Sequence, residues 1–396
     1  MKNKISSDFS KASPSTGVGG WKGPLIKRKE FIQVGSLATA SMLVPKFLKA
    51  FEQRPLVPLG NKVVVILQLS GGNDGLNTVI PVRNDIYYKE RPRLGIARTK
   101  ALSLTDEAGL HPSLTAFKEM YDDGSLAILN SVGYPNPDRS HFRSMDIWHS
   151  ASPSNEYWNT GWVGRYLDAQ CKGCPQGPAG NKPTHAIAIE LDDVLSLALK
   201  GDEMKGIAMK DPRRLFGTAN EKFFRDVMKH HHDEPGEQPV DYLYKTMAET
   251  LSSADYIFKH SKTHPTNAEY PKTELGNSLK TIASLIYSEI NTKVYYVSLG
   301  RFEDVLLFTF SEFGRSVKQN ASNGTDHGTA NNMFLISGGL KQKGLINPLP
   351  DLTNLDDGDL KYKVDFKNVY ATVLNKWLKA NDEQILTKQY NYLNFI

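Results

Sequence analysis

Two apolar runs, Val294–Leu299 and Val305–Phe310, are separated by only five residues, Gly300–Asp304. Both runs are continuous and rich in β-branched and aromatic residues, the pattern of strands covered on both faces of a parallel sheet. Parallel neighbours need a crossover of about a dozen residues or more, usually a helix. Five residues suffice only for a hairpin. The interval therefore predicts either an antiparallel pair at this point or the loss of a crossover between 299 and 305.

Elsewhere the chain alternates strand and helix signals. Val63–Leu69 is a third buried-strand run, closed by the glycine-rich turn Ser70-Gly71-Gly72-Asn73-Asp74-Gly75. A helix is expected from about Ser113, as its cap, to Asp122, ending near Gly124. Leu126–Leu129 reads as a strand leading through a proline-punctuated loop to a helix that opens near Ser140. Ala186–Leu191 reads as another strand, and the region around 200–290 as a polar, mostly helical insertion. Met333–Ile336 is a further apolar run. Phe366, Val369, Tyr370, Val373 and Trp377 recur at helical spacing within Asp365–Leu378, a face expected to seal that helix onto the sheet. Strands alternating with helices predict an α/β fold, with residues 60–396 as one domain.

Composition supports a globular chain with no nucleic-acid role. The formal net charge is +5 over 396 residues, and no basic patch interleaved with aromatics occurs. Residues 1–26 are expected to be disordered, because they are rich in Ser, Gly, Lys and Pro. Residues 27–50 follow: Lys27-Arg28-Lys29-Glu30-Phe31-Ile32, then the weakly apolar stretch Val34–Val44. That order resembles a twin-arginine export signal, with Lys29 in place of the second arginine. It predicts a periplasmic or extracellular protein, carried by the twin-arginine export machinery and without a stable transmembrane segment. Cys171 and Cys174 are the two cysteines, spaced C-x-x-C, and are expected to form a local structural feature. His230-His231-His232 is expected to be a solvated surface run.

The chemistry-bearing residues sit where strands end. Glu312 closes the Val305–Phe310 run, and a glycine-bearing loop then delivers Asp326-His327-Gly328 just before the next run. In open α/β sheets ligands bind beyond the carboxyl ends of the strands. A Glu, an Asp and a His there are candidate metal ligands or acid/base groups.

Seven segments appear in order: Gly71-Gly72-Asn73-Asp74-Gly75-Leu76-Asn77, Gly109-Leu110-His111-Pro112, Arg139-Ser140-His141-Phe142, Met145-Asp146-Ile147-Trp148, Gly161–Asp168, Ser311-Glu312-Phe313-Gly314-Arg315 and Thr325–Ala330. Together they resemble the domain-of-unknown-function 1501 family, from about residue 27 to 380. The resemblance implies a mostly parallel, doubly wound sheet flanked by helices, of the alkaline phosphatase-like kind. It also implies export by a twin-arginine signal and metal-dependent hydrolysis of small anionic phosphate or sulfate esters. The divalent metal would be Zn, Mn or Mg. By the same resemblance Asp74, Glu312, Asp326 and His327 are the implied metal residues, with Ser140 and His141 the implied catalytic pair. Ser140 stands at the nucleophile's place, and His141 is a ligand candidate as well. Asp326-His327 matches either the superfamily's last His or its Asp-His pair. Arg143 and Arg315 are either anion-gripping groups or structural ion pairs.

One motif is absent. The family's Gly-Phe-Asp-Thr-His segment and its helix would follow the Val294–Leu299 strand, but Arg301-Phe302-Glu303-Asp304 stands there instead. No histidine follows His327 to replace the loss. A rival expectation is therefore a binding or assembly protein on the same scaffold, with a degraded site. A serine-hydrolase set built from Ser140, His141 and a carboxylate is a weaker expectation. Adjacent residues on a helix point in different directions.

Overall fold

The computed structural model describes residues 62–170, 188–222, 226, 250–251, 253–262, 270–288, 292–296 and 304–396. The expectations for residues 1–26 and 27–50, for Cys171 and Cys174, and for His230–His232 lie outside the described residues. No helix among the described residues is long and apolar enough to cross a membrane.

Among the described residues, nine strands form the central sheet: β1 (Val63–Gln68), β2 (Leu126–Gly133), β3 (Ala188–Glu190), β4 (Ile207–Ala208), β5 (Val294–Tyr296), β6 (Val305–Phe310), β7 (Asn331–Ile336), β8 (Gly344–Leu345) and β9 (Val364–Asp365). Their order across the sheet is β8-β2-β7-β6-β1-β5-β3-β4, and β9 also pairs with β2. Strand β7 is antiparallel to both its neighbours, and every other pairing is parallel. The fold is thus α/β with a mostly parallel central sheet.

The sequence periodicity explains how both faces are covered. On β1, Val64 and Ile66 point to one side, against Trp148, Trp162, Phe366 and Tyr370. Val65 points to the other, against Ile282, Leu285 and Ile286. The first layer is built by helices α2 (His141–Ser150), α3 (Trp162–Gln170) and α5 (Phe366–Thr372); the second includes α4 (Glu274–Tyr287). Trp148 stacks between Phe310 and Phe366, with ring centres at 5.1 and 4.1 Å. Burying each such side chain contributes about 1.5–3 kcal/mol. The helix expected from Asp365 begins as α5 and continues through a π-turn at Val373–Trp377, and its aromatic face is buried as expected. Helix α1, expected from Ser113, instead spans Thr115–Asp122, with Leu114 at its N-cap and no side-chain cap.

The five-residue interval resolves differently from a hairpin. Strands β5 and β6 do not pair with each other. Both run parallel to β1, one on each side of it, with Val64 opposite Val294 and also opposite Leu306. Strand β5 is described as far as Tyr296, and residues 297–303 lie outside the described residues. Asp304 sits at the amino end of β6, paired with Lys62. That edge is opposite to the one where Glu312 lies, so Asp304 cannot take a place in the site.

Candidate functional site

Because β1, β2 and β6 are parallel, their carboxyl ends share one edge of the sheet. Three segments meet there: the turn after β1, the start of α2 after β2, and the residues following β6. The hairpin Arg315–Gln319/Thr325–His327 then carries the chain into β7 from this same edge.

The turn after β1 needs its glycines. Gly72 has φ +80, and a Cβ on it would lie 2.5 Å from the Phe313 ring. The turn is knitted to the β6 end by Asn73 N–H donating to Ser311 Oγ (2.9 Å) and Gly71 N–H donating to Glu312 Oε1 (2.7 Å). Arg315 closes the same junction by donating to the carbonyls of Gly71, Gly72 and Thr325. Its guanidinium is thus committed to main-chain oxygens. Arg143 donates through Nη2 to the carbonyls of Pro153, Ser154 and Glu156 and lies over the Tyr157 ring, while its Nε and Nη1 are buried without a hydrogen-bond partner.

Glu312 is fully buried, and His141 Nδ1 lies 2.8 Å from its Oε1. Burial pushes the carboxyl up. Bonds from His141, its own backbone N–H, Gly71 and Ser311 outweigh that and hold it below the usual carboxylate range. An ionised carboxylate only accepts, so His141 Nδ1 carries the proton and Nε2 is left as the lone-pair nitrogen of the neutral ring. His327 obeys the same logic. Its Nδ1 lies 2.8 Å from the Arg139 carbonyl, which can only accept. The His141 and His327 ring centres are 4.5 Å apart, and Phe313 packs against both.

Ser140 is the N-cap of α2, and its side chain makes no capping bond. Its N–H is satisfied by Asp138 Oδ1 at 2.7 Å. The hydroxyl therefore stands exposed at the positive end of a ten-residue helix.

The other two expected ligands are not brought to this cluster. Asp74 caps the turn Gly75–Thr78, and its two oxygens lie 2.7 and 2.8 Å from Nη1 of fully buried Arg91. Asp326 is exposed and accepts from Asn320 Nδ2. Adjacent residues of a strand face opposite sides, so His327 and Asp326 cannot both face the site. Among the described residues, no three His, Cys, Asp or Glu side chains converge as they would around one ion.

Sequence reading gave no role to Asn73 or Ser311 and did not single out Arg91 or His149. His149 lies behind the site, with Nε2 donating to Gln68 Oε1 at 2.8 Å. Burial pushes it down to about 4, against an upward pull from Glu312. A depressed histidine stabilises the fold above its unfolded value of about 6.5, and that stability is lost as pH falls through about 4. The expected loss is about 3 kcal/mol across that window. Buried Glu190, pushed up to about 7, works in the opposite sense: its contribution is present below about 4.5 and lost as pH rises through 7. The His149 contribution is therefore measured as the difference between the wild type and His149→Gln in urea unfolding at several pH values. An identical pH dependence in both would refute it.

A family model described as a protein of unknown function (DUF1501) matches residues 297–393, the part that carries Glu312, Asp326 and His327. No curated protein matches the chain. Among solved structures, the C-terminal periplasmic domain of EcEptC from Escherichia coli is similar at 9% identity. The match covers 72% of this chain and 75% of that one, with a TM-score of 0.26, too slight to define the fold.

Proposed function

We propose that the chain is an exported, metal-dependent hydrolase of small phosphate or sulfate esters on an alkaline phosphatase-like scaffold, with a reduced metal site. One observation carries this reading: His141 and His327 each have Nδ1 engaged by an acceptor, which leaves each Nε2 as a lone-pair nitrogen, and the two ring centres are 4.5 Å apart. Metal-bound histidines almost always donate their other nitrogen to a carboxylate or a carbonyl. Two imidazoles bound to one ion at a tetrahedral angle through bonds of about 2.0–2.1 Å place their centres about 5 Å apart, somewhat wider than the separation here. In this reading a divalent ion would be held through His141 and His327, whereas Glu312 orients His141. Asp74 and Asp326 do not fit as their structural partners stand.

The ion would polarise the ester and activate the attacking oxygen. The chain's own residues do the rest. Ser140 offers a hydroxyl free of capping duty beside the N–H groups of the first turn of α2, which favour an anion. Glu312 keeps His141 in one tautomer, and the Gly71 N–H keeps Glu312 ionised. Export is read from the twin-arginine-like segment at 27–50.

The test is zinc titration of the full chain with a screen of nitrophenyl phosphate and sulfate. Stoichiometric zinc is expected, and His141→Ala or His327→Ala should weaken it by more than the 10–100-fold typical of losing an outer partner. Zinc binding unchanged in both variants would overturn the reading. The competing reading, a binding protein with a degraded site, is favoured by the commitment of Asp74 to Arg91. It would be supported if zinc bound without any ester hydrolysis.

A further inference from the structure

The hydrogen bond that orients His327 ends on a main-chain carbonyl, so something must hold that carbonyl in place. Arg139 belongs to the loop between β2 and α2. The loop has internal ties: Asp138 N–H donates to Tyr134 Oη at 3.2 Å, and Ser144 Oγ donates to the Asp138 carbonyl at 2.5 Å. The peptide that carries the Arg139 carbonyl is tied on its other side, where Ser140 N–H donates to Asp138 Oδ1 at 2.7 Å. The Arg139 guanidinium adds the tie that leaves the loop: Nη2 lies 2.5 Å from Asp359 Oδ2.

Asp359 is 4% exposed and belongs to the hairpin Leu355–Asp356/Asp359–Leu360. Burial pushes its carboxyl up, and Arg139 is the cation that opposes this. The same hairpin grips the chain just past His327, because Thr329 Oγ1 donates to the Leu360 carbonyl at 2.5 Å. Both sides of the His327–Arg139 contact are therefore fastened to one short hairpin. That hairpin also forms a wall of a cleft of about 420 Å³, opposite Tyr134, Pro135 and Pro137. A cleft of that size lies within the range of small-molecule sites, about 300–1,000 Å³.

We propose that Asp359, acting through Arg139, is a positioning residue for His327: it fixes the Arg139 carbonyl and so holds His327 as the Nδ1–H tautomer with Nε2 facing the site. This rests on the reading of His327 as a metal donor, but its test does not. Neither Asp359 nor Arg139 touches substrate or ion. Because the hairpin also walls the cleft, the tie sets the cleft and the histidine in one fixed relation.

The tautomer of the His327 ring is read by nitrogen NMR on the metal-free full chain, at alkaline pH where the ring is neutral. The wild type is expected to show Nδ1–H alone. Arg139→Met leaves the carbonyl but removes the tie, and should give a mixture with the Nε2–H form. Arg139→Lys, which restores a cation, should recover the single form. Asp359→Ala is the second variant, cutting the tie from the other end, and should give the same mixture. Zinc affinity should fall about 10-fold or more in the variants that give the mixture. A variant with a lowered melting temperature but wild-type His327 tautomer would overturn the proposal, since a merely structural salt bridge predicts that result. Failure of the wild type to bind zinc would sink the hydrolase reading and leave the tautomer result standing.

Discussion

Glu312→Ala is expected to cost about 3–4 kcal/mol of stability and to weaken zinc binding about 10–100-fold. The carboxylate is fully buried and accepts from Gly71 N–H at 2.7 Å and His141 Nδ1 at 2.8 Å, with Ser311 Oγ 3.3 Å from its other oxygen. Removing it leaves buried donors unpaired, at about 1–3 kcal/mol each, and a cavity beside Phe313. Glu312→Gln keeps one acceptor oxygen and should cost less than half as much. The pH dependence separates charge from shape. The Glu312 carboxyl is held below its ordinary value of 4.5, so its contribution is present above that value and lost as pH falls through the lower folded one. In Glu312→Gln that acid-side loss should disappear. Urea unfolding at neutral and acid pH measures both effects. A variant as stable as the wild type would show that the junction does not depend on this carboxylate.

The strands were legible because burial on both faces leaves a continuous apolar run. Val63–Gln68 and Val305–Phe310 were located almost to the residue in this way. Strand direction was not legible, because an apolar run reads the same either way. What reverses β7 is its entry: the hairpin after Arg315 stays on the carboxyl edge, so Asn331 can only start from there and run back. Of the two alternatives read for the β5–β6 interval, the antiparallel pair is excluded, because both strands run parallel to β1, one on each side of it.

At the site, the positions at strand ends were legible and the partners were not. Glu312, His141 and His327 do meet, although they are 171 and 188 residues apart from their partners in the chain, counting Glu312 to His141 and His327 to Arg139. The role of Glu312 as an orienting group could not be read, since a buried carboxylate at a strand end looks the same whether it faces an ion or an imidazole. The outward face of Asp326 was readable in principle from strand alternation with His327. The engagement of Asp74 was not. Its partner Arg91 is 17 residues on, past the helical turn Asp85–Glu90, and nothing in that spacing announces a contact.

Arg91→Met tests whether that engagement is structural or guards a latent ligand. Arg91 is fully buried and donates to Asp74, Asn77 and the carbonyls of Ser316 and Val317. Breaking a buried ion pair from one side costs about 3–5 kcal/mol, because the remaining charge and acceptors lose their partners. Asp74 is 26% exposed at its side chain, so water recovers part of this, and about 3 kcal/mol is expected in urea unfolding. Asp74→Asn, which keeps an acceptor for Nη1, should cost about 1 kcal/mol. The zinc titration gives the functional half of the answer. If Asp74 is committed to the fold, Arg91→Met binds the same amount of zinc as the wild type despite its lower stability. An additional equivalent, abolished again by adding Asp74→Asn, would mean that the arginine occupies a second ion's place. In that case the site is one ion short because Arg91 fills it, not because the segment between 299 and 305 is short.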